Sequence, residues 1–301
     1  MKVVLTGATG LIGARLVRAL RERGDEVTVL SRDPGRAAAG LGGVDAVGWS
    51  MLDEPAPAVA LAGRDAVVHL AGENVAQRWS APARERIEAS RVTGTRNLVA
   101  GLRAADPRPA ALISASAVGY YGEHGDERVP ESTPPGDGFL AAVCVGWERE
   151  ATAASEVGVR VACLRTGVVL DAGGGALARM LPFFRLGVGG PVAGGGQYLP
   201  WIHVDDVVGM YAAAVGDERW DGAFNACAPE PVTNREFSKA LGRALHRPAF
   251  APVPGLAVRA LYGDMAEIVT TGQRAVPERA LALGHAFAQP DLDAALADAV
   301  G

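Results

Sequence analysis

Lysine is nearly absent from this chain. Of its 29 basic residues only Lys2 and Lys239 are lysines, so chemistry that needs an ammonium group has two positions to draw on. Cysteine is scarce too. Cys144, Cys163 and Cys227 are odd in number, widely spaced and match no zinc pattern, which predicts buried reduced thiols and no metal site. No apolar run approaches the roughly 20 residues that span a bilayer. The chain enters an apolar segment at once, without the basic region and cleavage site of a secretory leader, and the expectation is a cytoplasmic protein. With a net charge of −5 and no basic run, neither nucleic acid nor a membrane is an expected partner. The absence of a fixed-period repeat excludes solenoids and propellers.

What is present is enough apolar material, 49% of 301 residues, to bury a large core. Short apolar runs alternate with helical patterns: strands at Lys2 to Thr6, Val27 to Leu30, Val44 to Gly48, Asp65 to Leu70, Ala110 to Ser114 and Val159 to Leu164. Between them lie helices beginning at Leu11, after the Pro-rich stretch Glu54 to Ala58, from about Pro82 to Ala105, and ending near Glu156. That alternation predicts an α/β fold with a doubly wound parallel sheet. Ile202 to Val208 and Ala223 to Ala226 read as returns to the sheet. Two Gly-rich loops, Gly173 to Gly175 and Gly194 to Gly196, bracket an apolar helix around Met180 to Leu186 and resemble mobile elements at a substrate entrance. The expected division is a first domain of residues 1–168 plus about 200–227, and a smaller substrate-side lobe of about 169–199 plus 228–301.

The first strand runs into Gly7-Ala8-Thr9-Gly10-Leu11-Ile12-Gly13 and then a helix. Glycines there permit a tight turn, let the helix N-terminus approach a pyrophosphate, and allow close helix–sheet packing. Strand, turn and helix in that order predict a dinucleotide site at Gly7, Thr9, Gly10, Leu11, Ile12 and Gly13. The second strand ends Leu30-Ser31-Arg32. A serine able to donate to a phosphate and an arginine able to clamp it favour the 2′-phosphate of NADP(H) over the ribose hydroxyl of NAD. Asp33 lies near the spacing of an NAD-type acid, but Asp33-Pro34-Gly35 reads as a turn beyond the strand.

These segments resemble the extended short-chain dehydrogenase/reductase superfamily. Within it, SASAVGYYG, GFLAAVCVGWE, PWIHVDD, FNACAPEPVTNREF and the tail GDMAEIVTTGQRAVPERALALGHAF are similar to the atypical, sugar-nucleotide-epimerase-like branch with its small DUF1731-like C-terminal domain. The resemblance spans essentially the whole chain. It implies a Rossmann fold, with Leu70, Ala71 and Gly72 beside the nicotinamide ribose and Ser114 and Ala115 along the cofactor. It also implies that Ser116 polarises a substrate oxygen, and that His203 and its neighbouring aspartates brace the fold.

The superfamily's chemistry rests on a Tyr-x-x-x-Lys pair, in which the ammonium lowers the phenol pKa. Here no tyrosine is followed at the fourth place by lysine. Aligning Glu148 with the usual helix acid puts Leu140 and Cys144 at the two positions, and neither can do that work. Tyr120, on the loop after Ser116 with His124 nearby, is the candidate replacement proton donor, or else packs with Tyr121 into the cleft wall. Arg78 and Trp79 line the pocket or cover a helix end. Cys144, with no base near it in sequence, is not expected to act as a nucleophile. Two functions fit: an NADP(H)-dependent oxidoreductase or epimerase-like enzyme acting on a small molecule with a substituted catalytic set, or a non-enzymatic NADP(H)-dependent sensor or scaffold.

Overall fold

A computed structural model describes all 301 residues. β1 (Lys2–Thr6) buries Val3, Val4, Leu5 and Thr6 in succession, as a strand covered on both faces must. It turns into α1 (Leu11–Glu22), whose stripe Gly13, Leu16, Val17 and Leu20 meets the sheet. There follow β2 (Glu26–Ser31), α2 (Pro34–Gly40), β3 (Asp45–Gly48), α3 (Ala58–Leu61), β4 (Ala66–His69), α4 (Ala81–Ala104), β5 (Ala111–Ala117), a 3₁₀ turn (Val118–Tyr121), β6 (Arg128–Val129), α5 (Phe139–Thr152), β7 (Arg160–Thr166), β8 (Val168–Leu170), α6 (Gly175–Arg185), β9 (Tyr198–Leu199), β10 (Trp201–His203), α7 (Val204–Gly216) and β11 (Gly222–Ala226). β12 (Val232–Thr233), α8 (Asn234–Ala244), α9 (Gly255–Tyr262), α10 (Glu267–Thr270), β13 (Arg274–Ala275), α11 (Glu278–Ala282) and α12 (Leu292–Val300) complete the chain.

Seven strands form one parallel sheet in the order β11-β7-β5-β4-β1-β2-β3. On one face α1 and α7 enclose Leu16, Leu20, Val207, Met210 and Tyr211; on the other, α3, α4 and α5 enclose Leu61, Leu98, Leu102 and Ala151. This is the doubly wound, NAD(P)-binding Rossmann fold. The register aligns Thr6 with His69 and His69 with Ser114, so polar side chains gather at the C-terminal edge, the ligand side of such sheets. A third core joins α6, α8 and α12 through Leu177, Leu181, Phe237, Leu241 and Leu296.

One expectation is corrected. Residues 202–208 do not return to the sheet: Trp201–His203 pairs with β8 in a separate two-stranded ribbon, and Val204 begins a helix. His203 is the N-cap, its ring accepting from the Asp205 N–H at 3.3 Å, and two aspartates occupy the first turn. An apolar run read as strand is thus a buried helix with an N-terminal acidic signal. The C-terminal segment is stitched to the first half of the chain. β13 pairs with β6, the buried Asn225 amide donates to the carbonyls of Val129 and Val276, and the Glu131 carboxylate accepts from the backbone N–H groups of Asn225 and Arg279.

Candidate functional site

The turn after β1 is shaped by close backbone contact. A Cβ on Gly7, whose φ is +67°, would stand 2.6 Å from the Leu70 carbonyl carbon, and one on Gly13 would stand 2.3 Å from the Gly7 oxygen. Gly10 differs. Its φ of −79° suits any residue, and a Cβ would meet only the Gly7 oxygen at 3.3 Å. Beyond lies open space, faced by a helix N-terminus without a side-chain cap. Free first-turn N–H groups at a hollow that a side chain would fill form a cradle fitted to a pyrophosphate. Thr9 and Gly10 are exposed there, and Leu11 and Ile12 half-buried. Leu70 to Gly72 is set against the cradle by Leu70 N–H donating to the Thr6 carbonyl and Ala71 N–H to Thr6 Oγ1, both at 3.2 Å.

At the end of β2, Asp33 caps α2, its Oδ1 accepting from the Arg36 N–H at 2.9 Å, and lies 3.2 Å through its backbone from the Ser31 hydroxyl. The acid at NAD-type spacing is therefore committed to a helix cap. Arg32 is exposed and makes no ion pair, leaving its guanidinium free for a phosphate.

Beneath the cradle the fully buried His69 bridges Thr6 Oγ1 at 2.7 Å and Thr95 Oγ1 at 3.1 Å. Burial, aided by the Arg91 charge, pushes its pKa down to about 4.

At the end of β5 the polar groups turn to one another. Ser114 Oγ donates to the Ala115 carbonyl at 3.0 Å. Ser116, 3% exposed, donates to Glu148 Oε1 at 2.6 Å. Arg165 makes a two-pronged pair with Glu148, both contacts 2.8 Å, and donates to Tyr121 Oη and the Glu131 carbonyl. Tyr121 Oη in turn donates to Asn225 at 2.6 Å. Burial raises the Tyr121 pKa to about 12 against the pull of Arg165, so this phenol is a poor acid near neutrality. Burial opposes the Arg165 charge, but the hydrogen bonds and charge of Glu148 prevail and raise its pKa.

Of the two expected reaction-centre residues, Ser116 is thus engaged by Glu148, and Tyr120 lays its ring on Arg165, 3.4 Å from the guanidinium carbon to the ring centroid. No hydrogen bond joins Tyr120 to Ser116 or His124. Leu140 is half-buried. Cys144 is buried, its thiol pushed up to about 11 by burial and by the Glu148 charge, as an inert cysteine should be. Sequence reasoning passed over Arg165 and Arg91. Both lie inside ordinary strand and helix patterns, and the neighbours that set them apart, Tyr121 for Arg165 and Trp147 for Arg91, are distant in the chain.

The loops beside this end of the sheet are tied to neighbouring helices. Arg15 of α1 forms an ion pair with Asp171, and a Cβ on Gly174 would lie 3.1 Å from Leu11 Cδ1. Arg179 of α6 donates to the Ala76 carbonyl. Trp79 is buried edge-on to Phe139 at 5.3 Å, with Arg84 over both rings and Met265 in the same cluster. His203 caps α7 as noted, and Asp206 accepts from Ala288 and Gln289 N–H groups; both brace the fold.

Fold and site together define a dinucleotide-binding α/β protein of the short-chain dehydrogenase/reductase kind. The chain belongs to the NAD dependent epimerase/dehydratase family, whose model matches residues 3–227, and a domain of unknown function, DUF1731, matches residues 253–299. It is 38% identical to the mouse (Mus musculus) epimerase family protein SDR39U1, with 100% of both chains covered. It is 41% identical to the chloroplastic SDR39U1 homolog of Arabidopsis thaliana over 95% of this chain and 83% of that one. The crystal structure of human SDR39U1 (isoform 2) with NADPH superposes with a TM-score of 0.88 at 35% identity, covering 99% of each chain. No helix of this chain is long and apolar enough to cross a membrane.

Proposed function

We propose that the protein binds NADP(H) and acts as an oxidoreductase or epimerase-like enzyme on a small-molecule substrate without a Tyr-x-x-x-Lys pair. The observation that carries the cofactor assignment is the division of labour at the end of β2: Asp33 is spent on the α2 cap while Arg32 is free. The relative crystallised with NADPH supports it. Gly7 to Gly13 would hold the pyrophosphate, Ser31 and Arg32 the 2′-phosphate, and Leu70 to Gly72, Ser114 and Ala115 the nicotinamide half. Bound there, the dinucleotide would supply or accept a hydride.

The chain's own residues then have two tasks. The apolar cluster of Trp79, Phe139 and Met265, with Leu140 where the superfamily keeps its acid, favours a carbonyl or enone compound of low polarity over a nucleotide sugar. Ser116, on releasing Glu148, donates a hydrogen bond to the reacting oxygen, and Tyr120 supplies the proton. The test is NADPH oxidation across a panel of carbonyl and enone compounds, followed by Ser116→Ala and Tyr120→Phe. Loss of a proton-transfer group lowers turnover about 100- to 10,000-fold; undiminished turnover in both variants removes them from the mechanism. A second reading, an NADP(H)-dependent sensor, is favoured by the complete internal pairing of Ser116, Glu148, Arg165 and Tyr121, and gains if no compound is turned over while NADPH binds.

A further inference from the structure

A second hollow, outside the nucleotide cleft, lies against α8 and the loop that follows it. It holds about 890 Å³, a volume typical of small-molecule sites. Of the nine residues lining it, Arg235, Lys239, Arg243 and Arg247 are cations, His246 is a fifth basic group, and none is a carboxylate. The chain as a whole carries a net charge of −5. Positions 235, 239 and 243 recur every four residues, so these side chains stack along one face of α8, where like charges repel. Only Arg243 is neutralised, by Asp293 of α12 at 2.6 Å; Arg235, Lys239 and Arg247 make no ion pair. The one acid of α8, Glu236, is taken up in the capping box with Thr233.

The cations are held in place. Arg235 Nη2 donates to the Gly194 carbonyl at 2.6 Å and Arg247 Nε to the Arg185 carbonyl at 3.2 Å, while Arg243 Nη1, Arg247 Nη2 and the Lys239 ammonium have no acceptor within the protein. α8 ends in a Schellman turn, with the Arg247 N–H donating to the Gly242 carbonyl at 2.9 Å and the His246 N–H to that of Arg243 at 3.0 Å. His246 takes its left-handed position, φ +52°, where glycine is usual and another residue is strained. The loop lies directly on the helix, since a Cβ on Gly242 would stand 2.6 Å from Ala249 Cβ. It thereby brings Arg247 and Phe250 to the hollow that the helix cations line. The Phe250 ring is 79% exposed.

We infer that this hollow is a binding site for an oligophosphate, free or carried by a nucleotide. A concavity lined by one sign of charge focuses the potential and draws in a counter-charged ligand. Arg235 and Arg243 are eight residues apart, about 12 Å along the helix, a span suited to two or three phosphates in a chain and too long for one. The donors left over on Arg243, Lys239 and Arg247 make charge-assisted bonds to them. Two guanidinium groups are already fixed on backbone carbonyls, so less side-chain entropy is lost on binding. The bare Phe250 ring offers a nucleotide base a face to stack on. This site stands whether or not the cleft holds NADP(H).

The test is calorimetric titration of inorganic tripolyphosphate and of ATP into the full-length protein, preloaded with one equivalent of NADPH so that the cleft does not compete, at about 0.15 M salt. One equivalent of either ligand should bind. The double variant Lys239→Gln, Arg247→Gln should weaken that binding about 100-fold, the scale of two charge-assisted hydrogen bonds, and leave NADPH affinity within about twofold. A control that removes two exposed cations elsewhere, Arg103→Gln with Arg108→Gln, should leave it within about twofold as well. If ATP binds more tightly than tripolyphosphate and Phe250→Ala erases the difference, about fivefold for one stacked base, the ligand is a nucleotide; equal affinities make it the phosphate chain alone. Should the double variant fail to fold, Lys239→Gln alone, at a side chain with no bond or ion pair to the rest of the protein, should cost about tenfold. No saturable binding of either ligand below about 1 mM, full binding by the Lys239 variants, or an equal loss in the control overturns the assignment.

Discussion

The nucleotide end and the reaction end of the cleft treat their polar groups in opposite ways. At the first, the α1 N-terminus is uncapped, Gly10 faces open space and Arg32 has no partner. At the second, Ser116, Glu148, Arg165, Tyr121, Asn225 and Glu131 form one chain of hydrogen bonds within the protein. Groups left open await a ligand; groups closed on one another brace the fold, and Ser116 must leave Glu148 before it can serve a substrate. Substitutions at the nucleotide end should therefore move affinity and leave stability alone, whereas those at the reaction end should do the reverse.

The largest expected effect is on Arg165. Arg165→Met leaves the Glu148 carboxylate in a site where only 13% of its side chain is exposed, so urea unfolding should show a loss of about 3–5 kcal/mol. A variant as stable as the parent would break the comparison at its closed end.

Next is His69, between the two ends. The folded protein takes up its proton near pH 4 and the unfolded chain near 6.5. As pH falls through that window the unfolded state binds the extra proton. Stability that is complete above pH 6.5 is then lost towards pH 4, by about 3 kcal/mol. His285, whose pKa burial also lowers, adds in the same direction. Melting temperatures of His69→Asn should fall less steeply over this range than those of the parent; parallel curves would refute the assignment.

Gly10→Val sharpens the comparison from the open end. The backbone there tolerates a side chain, so the variant should fold, while the NADPH-induced stabilisation, about 2.7 kcal/mol at a hundredfold excess over Kd, should vanish. A folded variant that keeps the shift would place the cofactor elsewhere. Smallest is Arg32→Ala, which should narrow the preference for NADPH over NADH by about 1–3 kcal/mol in paired titrations and leave the melting temperature of the free protein within about a degree. Equal affinity for both cofactors in the parent would remove the role assigned to Arg32.

The two ends also differ in how far the sequence discloses them. The nucleotide turn is local: glycines at 7, 10 and 13 between a strand and a helix, with Ser31 and Arg32 one crossover away, so spacing alone reaches it. The closed network joins residues 32 positions apart at Ser116 and Glu148, 44 at Tyr121 and Arg165, and 94 at Glu131 and Asn225. No local period encodes such pairs. Arg91 escaped for the same reason, since it lies against Gly72 across a loop and Trp147 on another helix. The parallel sheet was legible from the alternation of apolar runs and helices, but Val204 to Val208 was not, because a buried helix and a buried strand share one apolar signature.

The stitching of the C-terminal segment has a consequence for synthesis. The sheet's last strand, β11, leaves the ribosome with the Asn225 side chain and the Glu131 carboxylate still lacking Val276 and Arg279. At roughly 5–20 residues per second, the nascent chain waits several seconds for those partners. Until then the outer edge of the sheet lacks its C-terminal cover, and a chain truncated before residue 274 is expected to be more open to aggregation and to proteases than the full chain.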